Sequence, residues 1–389
     1  MIAVLDDDPT GSQTVYGATV VTALDEVAGD PLTFYLTNTR SLDEAEAAQL
    51  TYDVARRLFE SDPDVEIVSR SDSTLRGHVL AEVQAIDRAR RDVLGAGYDG
   101  VLLAPAFFEA GRFTRGDVHY AGETPVGETE FAQDATFGYS SSNLVDFVAE
   151  KGGGQALSLS PGDELPPVRD GQWVVVNAES YDDLDAVVRA ARESGRALLY
   201  RTGPSFVRAL AGLDERPPLS EVPRREGHGL VVVGSHVGLT SRQVAAAQER
   251  CGLIEIELDV NALDVAGVSE RVVDALARGD VLLYTSRKLE AGGLDFSRRV
   301  SKAVTEVVQA ALKTRPGWVI AKGGITSHDV AVHALGIRRA EVLGQLLPGM
   351  ISVLRPTEAD PDAIGMPYVV FAGNVGDEGT LADVVERVR

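Results

Sequence analysis

Short apolar runs alternate with longer segments of helical period through most of the 389-residue chain. In the first half the runs are 2–5 (IAVL), 32–36 (LTFYL), 65–69 (VEIVS), 100–104 (GVLLA) and 173–177 (WVVVN). Continuous runs of this length, bounded by polar residues, predict buried strands. Between them lies 43–60, DEAEAAQLTYDVARRLFE, whose first turn carries the acidic residues that a helix macrodipole favours there. Residues 79–95 and 182–194 read as helices in the same way. The stretch 211–229 (AGLDERPPLSEVPRREGHG) has three prolines and no apolar period, which predicts a boundary. Beyond it strands are predicted at 229–233, 253–258, 281–284, 317–321 and 368–371. Residues 151–172 are rich in Gly and Pro and read as a surface loop. The alternation predicts an α/β protein of two α/β domains with largely parallel sheets flanked by helices, spanning 1–215 and 226–389.

Composition narrows the class. No apolar run approaches the ~20 residues that span a bilayer. The chain enters an apolar run at Ile2 with no basic region before it, so neither a membrane partner nor a signal peptide is expected. A single cysteine, Cys251, excludes an internal disulfide framework and a cysteine-rich zinc site, and fits a cytoplasmic setting. The net charge of −22 opposes unspecific binding to nucleic acid. It leaves small anionic substrates open, because a local arginine cluster overrides a global field. The histidines are scattered without an HExxH pair, so no protein-held metal is expected. A homodimer is the assembly that symmetry favours.

Candidate chemistry collects where the predicted strands end. The first run is followed by Asp6, Asp7, Asp8, Pro9, Thr10 and Gly11. Three adjacent carboxylates at the end of a core strand repel one another and need solvent, a cation or a polar ligand. Strand alternation would point Asp6 and Asp8 one way and Asp7 the other. SRSDSTLRGH (69–78) puts Arg70, Asp72, Ser73, Thr74, Arg76 and His78 into one turn. Arg76 can hold a carboxylate bidentately, and Asp72 with the hydroxyls can hold sugar hydroxyls; an Asp cap paired with a surface Arg explains the same spacing. A third stretch, 103–120, supplies Arg112, Arg115, Asp117 and His119.

In the second half three strand ends carry small residues before a helix: VVVGSHVGLTSRQV (231–244), WVIAKGGITSHDVAVHAL (318–335) and VVFAGNVGDEGTLADVV (369–385). Glycine there lets backbone N–H groups approach phosphate oxygens. Thr240 or Ser241, and Thr326 or Ser327, are candidate N-caps or phosphate donors, and Lys322 reads as a solvated flank or a phosphate contact. Neither GxxxxGK[ST] nor GxGxxG occurs.

With these residues in view, the sequence resembles the four-carbon acid sugar kinase family over nearly its whole length. The DD-x-TG motif matches Asp7, Asp8, Thr10 and Gly11, and DSTLRG matches Asp72 to Gly77. PAF–GR matches Pro105 to Phe107 with Gly111 and Arg112, and TFGYSSSNL (136–144) looks like the segment that closes the site. GS–T–RQ matches Gly234, Ser235, Thr240, Arg242 and Gln243; GG-x-T matches Gly323, Gly324 and Thr326; GN-x-G matches Gly373, Asn374 and Gly376. Two positions depart from the pattern: Pro9 stands for the usual Leu, and Gln345 for a Glu.

The resemblance implies a sugar-acid-binding N-terminal domain, an ATP-binding C-terminal domain and an active site in the interdomain cleft. It implies transfer of the γ-phosphoryl group of ATP, with Mg²⁺, to the terminal hydroxyl of a threonate, erythronate or 3-oxo-tetronate. The substrate residues would be Asp72, Ser73, Arg76 and Arg112, with Asp7 or Asp8 taking or orienting the hydroxyl proton. The nucleotide would lie on Ser235, Gly323, Gly324, Ile325, Thr326 and Gly373. Two rival readings stand beside it. Asp6-x-Asp8-x-Thr10 also fits the nucleophile loop of an Mg-dependent haloacid-dehalogenase-like phosphatase, with Asp6 attacking phosphorus. A sugar-acid sensor without catalysis would keep the pocket and turn over no ATP.

Overall fold

The computed structural model describes every residue except 224, 235–237, 287–293 and 374, with backbone alone at 294, 295 and 297. It divides into two compact units, Met1–Arg216 and Pro217–Arg389, so the break falls within the proline-rich stretch 211–229.

The first unit runs β1 (Ile2–Asp6), β2 (Thr19–Val21), β3 (Leu32–Leu36), α1 (Glu44–Ser61), β4 (Glu66–Arg70), α2 (Val79–Leu94), β5 (Gly100–Ala104), β6 (Arg112–Arg115), β7 (Val118–Ala121), β8 (Thr124–Pro125), α3 (Leu144–Glu150), β9 (Leu157–Leu159), β10 (Gln172–Val176), α4 (Tyr181–Glu193), β11 (Leu198–Thr202) and α5 (Pro204–Leu210). Its main sheet has the order β2-β3-β1-β4-β11-β5-β10-β9, and every pairing in it is parallel. Strands buried on both faces carry unbroken apolar runs, which is why β1, β3, β4, β5 and β10 were legible. Strands β6, β7 and β8 form a separate antiparallel sheet. The stretch 151–172 is not loop throughout, since it contains β9.

Strand β1 lies between β3 and β4, with Asp6 in register with Leu36 on one side and Arg70 on the other. The chain therefore leaves β1 in one direction for β2 and β3, and returns on its opposite side at β4. Crevices outside the carboxyl ends of strands form at such switch points. The helices cover the sheet with apolar faces: α1 buries Val54, Ala55, Leu58 and Phe59, and α2 buries Val83, Ile86 and Ala89. Asp43 caps α1 by accepting from the Glu46 N–H.

The second unit runs β12 (Leu230–Val233), α6 (Gly238–Cys251), β13 (Ile254–Leu258), α7 (Val265–Leu276), β14 (Val281–Thr285), α8 (Leu294–Leu312), β15 (Val319–Lys322), α9 (Gly324–Asp329), β16 (Arg339–Leu347), β17 (Met350–Glu358), β18 (Tyr368–Phe371) and α10 (Thr380–Val388). Its strand order is β13-β14-β12-β15-β18-β17-β16. The strands from β13 to β18 pair in parallel, while β16 and β17 add an antiparallel hairpin beside β18. Here too a switch point occurs, at β12 between β14 and β15. Val233, Lys322 and Phe371 end their strands in one row.

The hairpin was not expected. Burial along β16 alternates residue by residue, the mark of a strand with one wet face, so no continuous apolar run marks it in the sequence. The departing residue Gln345 belongs to this hairpin: its side-chain Oε1 accepts from the Gly349 N–H at 3.0 Å across the turn. No helix among the described residues is long and apolar enough to cross a membrane.

Candidate active site

At the end of β1 the three carboxylates are compensated by two arginines. Asp6 is 2% exposed and accepts from Arg70 Nη1 at 2.9 Å. Gly11 lies against that carboxylate, where a Cβ would come within 2.1 Å of Asp6 Oδ2, so the turn requires glycine. The strand ends at Asp6, and the expected alternation ends with it. Asp7 and Asp8 both face Arg40, whose Nη2 is 3.4 Å from Asp7 Oδ1 and 3.0 Å from Asp8 Oδ2. Arg40 Nη1 is also 3.6 Å from Asp72 Oδ2. This arginine, between β3 and α1 in a stretch without a motif, is the chief residue that sequence reasoning missed. Its only signal was indirect: adjacent acids demand a cation.

The environments of the three acids differ. Burial pushes the Asp6 carboxyl up to about 7 against the pull of Arg70, and pushes Asp7 up to about 6 against Arg40 and Arg70. Burial would raise Asp8 as well, but Arg40, Arg70 and the Thr10 hydrogen bonds outweigh it and hold Asp8 below the usual carboxylate range. Asp8 Oδ1 accepts from the Thr10 N–H at 2.9 Å and from its hydroxyl at 2.5 Å. Asp8 is the partly exposed member of the trio. A phosphatase nucleophile at Asp6 would have to attack from beneath Arg70 with no access, so that reading does not fit the site.

The DSTLRG turn is held from below. Leu75 adopts a left-handed φ of 70°, a strained state for a branched side chain. Two buried donors fix the carbonyls beside it: His119 Nε2–H to Ser73 O at 2.8 Å and Tyr139 O–H to Thr74 O at 2.8 Å. Burial pushes His119 down to about 4. A neutral ring donating from Nε2 accepts the Thr114 hydroxyl at Nδ1, 3.0 Å away. Tyr139 comes from the 136–144 segment, so that stretch does reach the turn. Asp72 accepts from Arg76 Nε at 2.5 Å, and burial, outweighed by Arg40 and Arg76, leaves it well below the carboxylate range.

Arg76 and Arg112 flank one aromatic ring, with guanidinium carbons 5.3 Å and 5.8 Å from the Phe131 centroid. Arg76 also has Asp134 at 3.9 Å. Sequence reasoning missed both Phe131 and Asp134. Arg112 differs from Arg76. Its Nη1 donates to the Ala110 carbonyl at 2.9 Å, and its buried Nε has no partner. Among the described residues no carboxylate lies within ion-pair distance of it, and burial lowers its guanidinium despite nearby Asp72.

Stability should carry the signature of these groups. Asp6 and Asp7 bind protons more tightly folded, at about 7 and about 6, than at their ordinary 3.8. Their contribution is therefore present below 3.8 and is lost as pH rises through the folded values. His119, lowered from 6.5 to about 4, acts oppositely: its contribution is present above 6.5 and lost as pH falls through 4. Asp6→Asn removes only one of these. Urea unfolding at about pH 5 and about pH 8 should show less loss of stability with rising pH in the variant than in the wild type. An unchanged difference would contradict the assignment.

In the second unit the three glycine-bearing strand ends are tied together. Gly323 has φ 112°, open only to glycine, and Gly324 opens α9. Thr326 and Ser327 lie inside that helix and are not N-caps; Ser327 instead donates to the Ala321 carbonyl at 2.8 Å. Lys322 is not a solvated flank but fully buried. Its Nζ donates to the carbonyls of Ala372 at 3.1 Å and Gly373 at 3.4 Å. The Thr240 hydroxyl also donates to Gly373 O, at 3.2 Å. Gln243 Nε2 donates to the Val375 and Asp377 carbonyls at 3.0 and 2.7 Å. Ile325 is 65% exposed. Ser235 and Asn374 lie outside the described residues.

Comparison with known proteins agrees with this division. Residues 2–210 match the profile of a sugar-binding N-terminal domain, and residues 230–381 that of a nucleotide-binding C-terminal domain. A D-threonate kinase of Bordetella bronchiseptica is 29% identical over 373 residues, covering 91% of this chain and 85% of the relative. A D-threonate kinase of Salmonella typhimurium is 26% identical over 393 residues, covering 90% and 86%. A solved Salmonella typhimurium LT2 structure, provisionally described as a tRNA synthase, has a TM-score of 0.74 over 98% of both chains; at 16% identity it shares the fold alone. Two α/β units of these kinds define a kinase, a phosphotransferase with an alcohol group as acceptor. The chain belongs to the four-carbon acid sugar kinase family.

Proposed function

We propose that this protein is an ATP-dependent kinase that phosphorylates the terminal hydroxyl of a four-carbon sugar acid, with D-threonate the first compound to test. The observation that carries this reading is Arg112, a largely buried cation with no carboxylate partner among the described residues, beside acids suited to hydroxyl groups. Such a cation takes a substrate carboxylate. Arg76 supports it, and Asp72 and Ser73 hold substrate hydroxyls.

Asp8 meets the attacking hydroxyl, with Asp7 deeper behind it. The hydroxyl oxygen bonds to the γ-phosphorus, the bond from that phosphorus to the β–γ bridging oxygen breaks, ADP leaves, and the hydroxyl proton passes to Asp8 and on to solvent. A carboxylate held below its usual range is a weak base. In a loose phosphoryl-transfer transition state, orientation matters more than basicity.

The nucleotide's phosphates rest on Ser235, Gly323, Gly324, Ile325, Thr326 and Gly373. No three His, Cys, Asp or Glu side chains converge to hold a metal among the described residues, and Asp6, Asp7 and Asp8 are engaged by Arg70 and Arg40. These residues do not form a protein-held Mg²⁺ site; Mg²⁺ enters as the counter-ion of the nucleotide phosphates.

ADP release with Mg-ATP and a panel of tetronates tests the proposal. Arg112→Ala should raise KM for the sugar acid at least about tenfold, equivalent to about 1.4 kcal/mol, with KM for ATP unchanged. Equal KM values for the sugar acid would remove Arg112 from the carboxylate site. Binding of a tetronate without any ADP release would favour a sensor.

A further inference from the structure

Strand β11 lies inside the first unit's sheet, paired with β4 on one side and β5 on the other, yet it carries Arg201, an arginine with no exposed surface. Arg201 Nη1 donates to the Ser69 hydroxyl at 2.6 Å and to Glu82 Oε2. Glu82 belongs to α2 and is itself buried. Its Oε1 accepts from the Thr39 hydroxyl, and Thr39 opens the turn Thr39–Ser41 that carries Arg40. The Arg40 N–H in that turn donates to the Asp7 carbonyl at 3.4 Å. The other end of the fork, Arg201 Nη2, has no hydrogen-bond partner among the described residues, and neither has Asp7 Oδ2. Both lie against Gly77, where a Cβ would stand 3.1 Å from Asp7 Oδ2 and 3.2 Å from Arg201 Nη2.

Packing alone does not ask for this pair, because apolar residues of similar volume often replace a buried ion pair without loss of stability. What the pair adds is charge of both signs close behind Asp7, where water screens it little. We propose that Glu82 and Arg201 are positioning residues for the phosphoryl transfer: together they hold Asp7 against the turn that carries Arg40, and so fix the arginine that fixes Asp8. The inference rests on the kinase reading for the role of Asp8. Asp7 is faced by Arg40 from the turn after β3, Arg70 from β4, Glu82 from α2 and Arg201 from β11, besides Asp6 and Asp8 of its own stretch. Burial raises its carboxyl; Arg40, Arg70 and Arg201 lower it, and Glu82 raises it. Loss of either member of the pair alone therefore moves Asp7, and the two losses move it in opposite directions. A pair that served only as packing would produce no such opposition.

The test follows the Asp7 carboxyl carbon by NMR in the full chain labelled with carbon-13 at aspartate, with Asp7→Asn identifying its signal. Glu82→Gln keeps an acceptor for Thr39 and leaves Arg201 uncompensated; Asp7 should titrate at least about half a pH unit lower than in wild type. Arg201→Met leaves Glu82 uncompensated, and Asp7 should titrate higher by at least about half a pH unit. The double variant should lie between the two single ones, close to wild type. A protonated Asp7 loosens its hold on Arg40, so the acid limb of kcat/KM for the tetronate should move with Asp7 in each variant. Anything short of opposite shifts in the two single variants overturns the inference, as does an acid limb that stays fixed while Asp7 moves. Should Arg201→Met fail to fold, the other two variants decide: a downward shift in Glu82→Gln that the double variant cancels supports the pair, and the same shift in both overturns it. Should the wild type form no ADP with any tetronate, the kinase reading fails, and the titrations alone judge whether the pair holds Asp7.

Discussion

Asp8→Asn is expected to lower kcat/KM for the sugar acid by about a hundredfold or more, a loss of about 2.7 kcal/mol of transition-state stabilisation. The residue is placed for this by its surroundings. Its Oδ1 is fixed by the Thr10 N–H and hydroxyl, and its Oδ2 by Arg40. It is also partly exposed, unlike Asp6 and Asp7. An asparagine keeps an acceptor for Thr10 and so keeps the turn, but loses the charge that we propose orients the attacking hydroxyl and receives its proton. The thermal midpoint and KM for ATP should stay near wild type. Steady-state kinetics with a coupled ADP assay read this directly. A value within threefold of wild type, by the rough arithmetic of rate and free energy, would remove Asp8 from the reaction.

Arg40→Met should damage both stability and binding. One guanidinium serves Asp7, Asp8 and Asp72. Burial alone would lower that guanidinium, yet the surrounding aspartates together raise it. Removing one partner of a buried ion pair costs about 3–5 kcal/mol. Arg40 keeps 18% of its side chain exposed, so about 2–3 kcal/mol is expected here. Without it the three carboxylates repel one another, and protonation relieves that repulsion. The deficit relative to wild type should therefore be larger at about pH 8 than at about pH 5 in urea unfolding. A lysine supplies one point charge where the fork reached three acids, so Arg40→Lys should recover only part of the loss. A pH-independent deficit would indicate lost packing instead of lost charge.

How much of this was legible depended on whether the signal was local. Most of the buried parallel strands announce themselves as apolar runs, because both faces of such strands are dry; β11 does not, because its fully buried LLYRT carries Arg201 and Thr202. The β16–β17 hairpin does not, because polar residues interrupt its apolar ones: Arg339, Glu341 and Gln345 along β16, and Ser352, Arg355, Thr357 and Glu358 along β17. Asp7, Asp8, Asp72 and Arg76 stand out in the sequence because their motifs place charges and hydroxyls at strand ends, and the structure joins them in one charged network with Arg40. Arg40, Phe131 and Asp134 do not, because nothing near them in sequence marks them; only the packing of separate loops brings them to the same acids and guanidinium groups. Lys322 failed for a related reason. A lysine ending a strand is ordinarily wet, but this strand is flanked by β12 and β18, and the carbonyls that take its ammonium come from the loop after β18. Asp6 drew attention for its charge, and its burial beneath Arg70 makes it structural.

In the proposed reaction the chain joins the phosphoryl group of ATP to a sugar-acid hydroxyl. Phosphorus NMR of a reaction containing Mg-ATP and D-threonate tests it most directly. A new phosphomonoester resonance should grow in step with ADP, be absent when the acid is left out and be strongly slowed in Asp8→Asn. ATP consumed only to ADP and inorganic phosphate would contradict it, as would the absence of any phosphomonoester across the panel of tetronates.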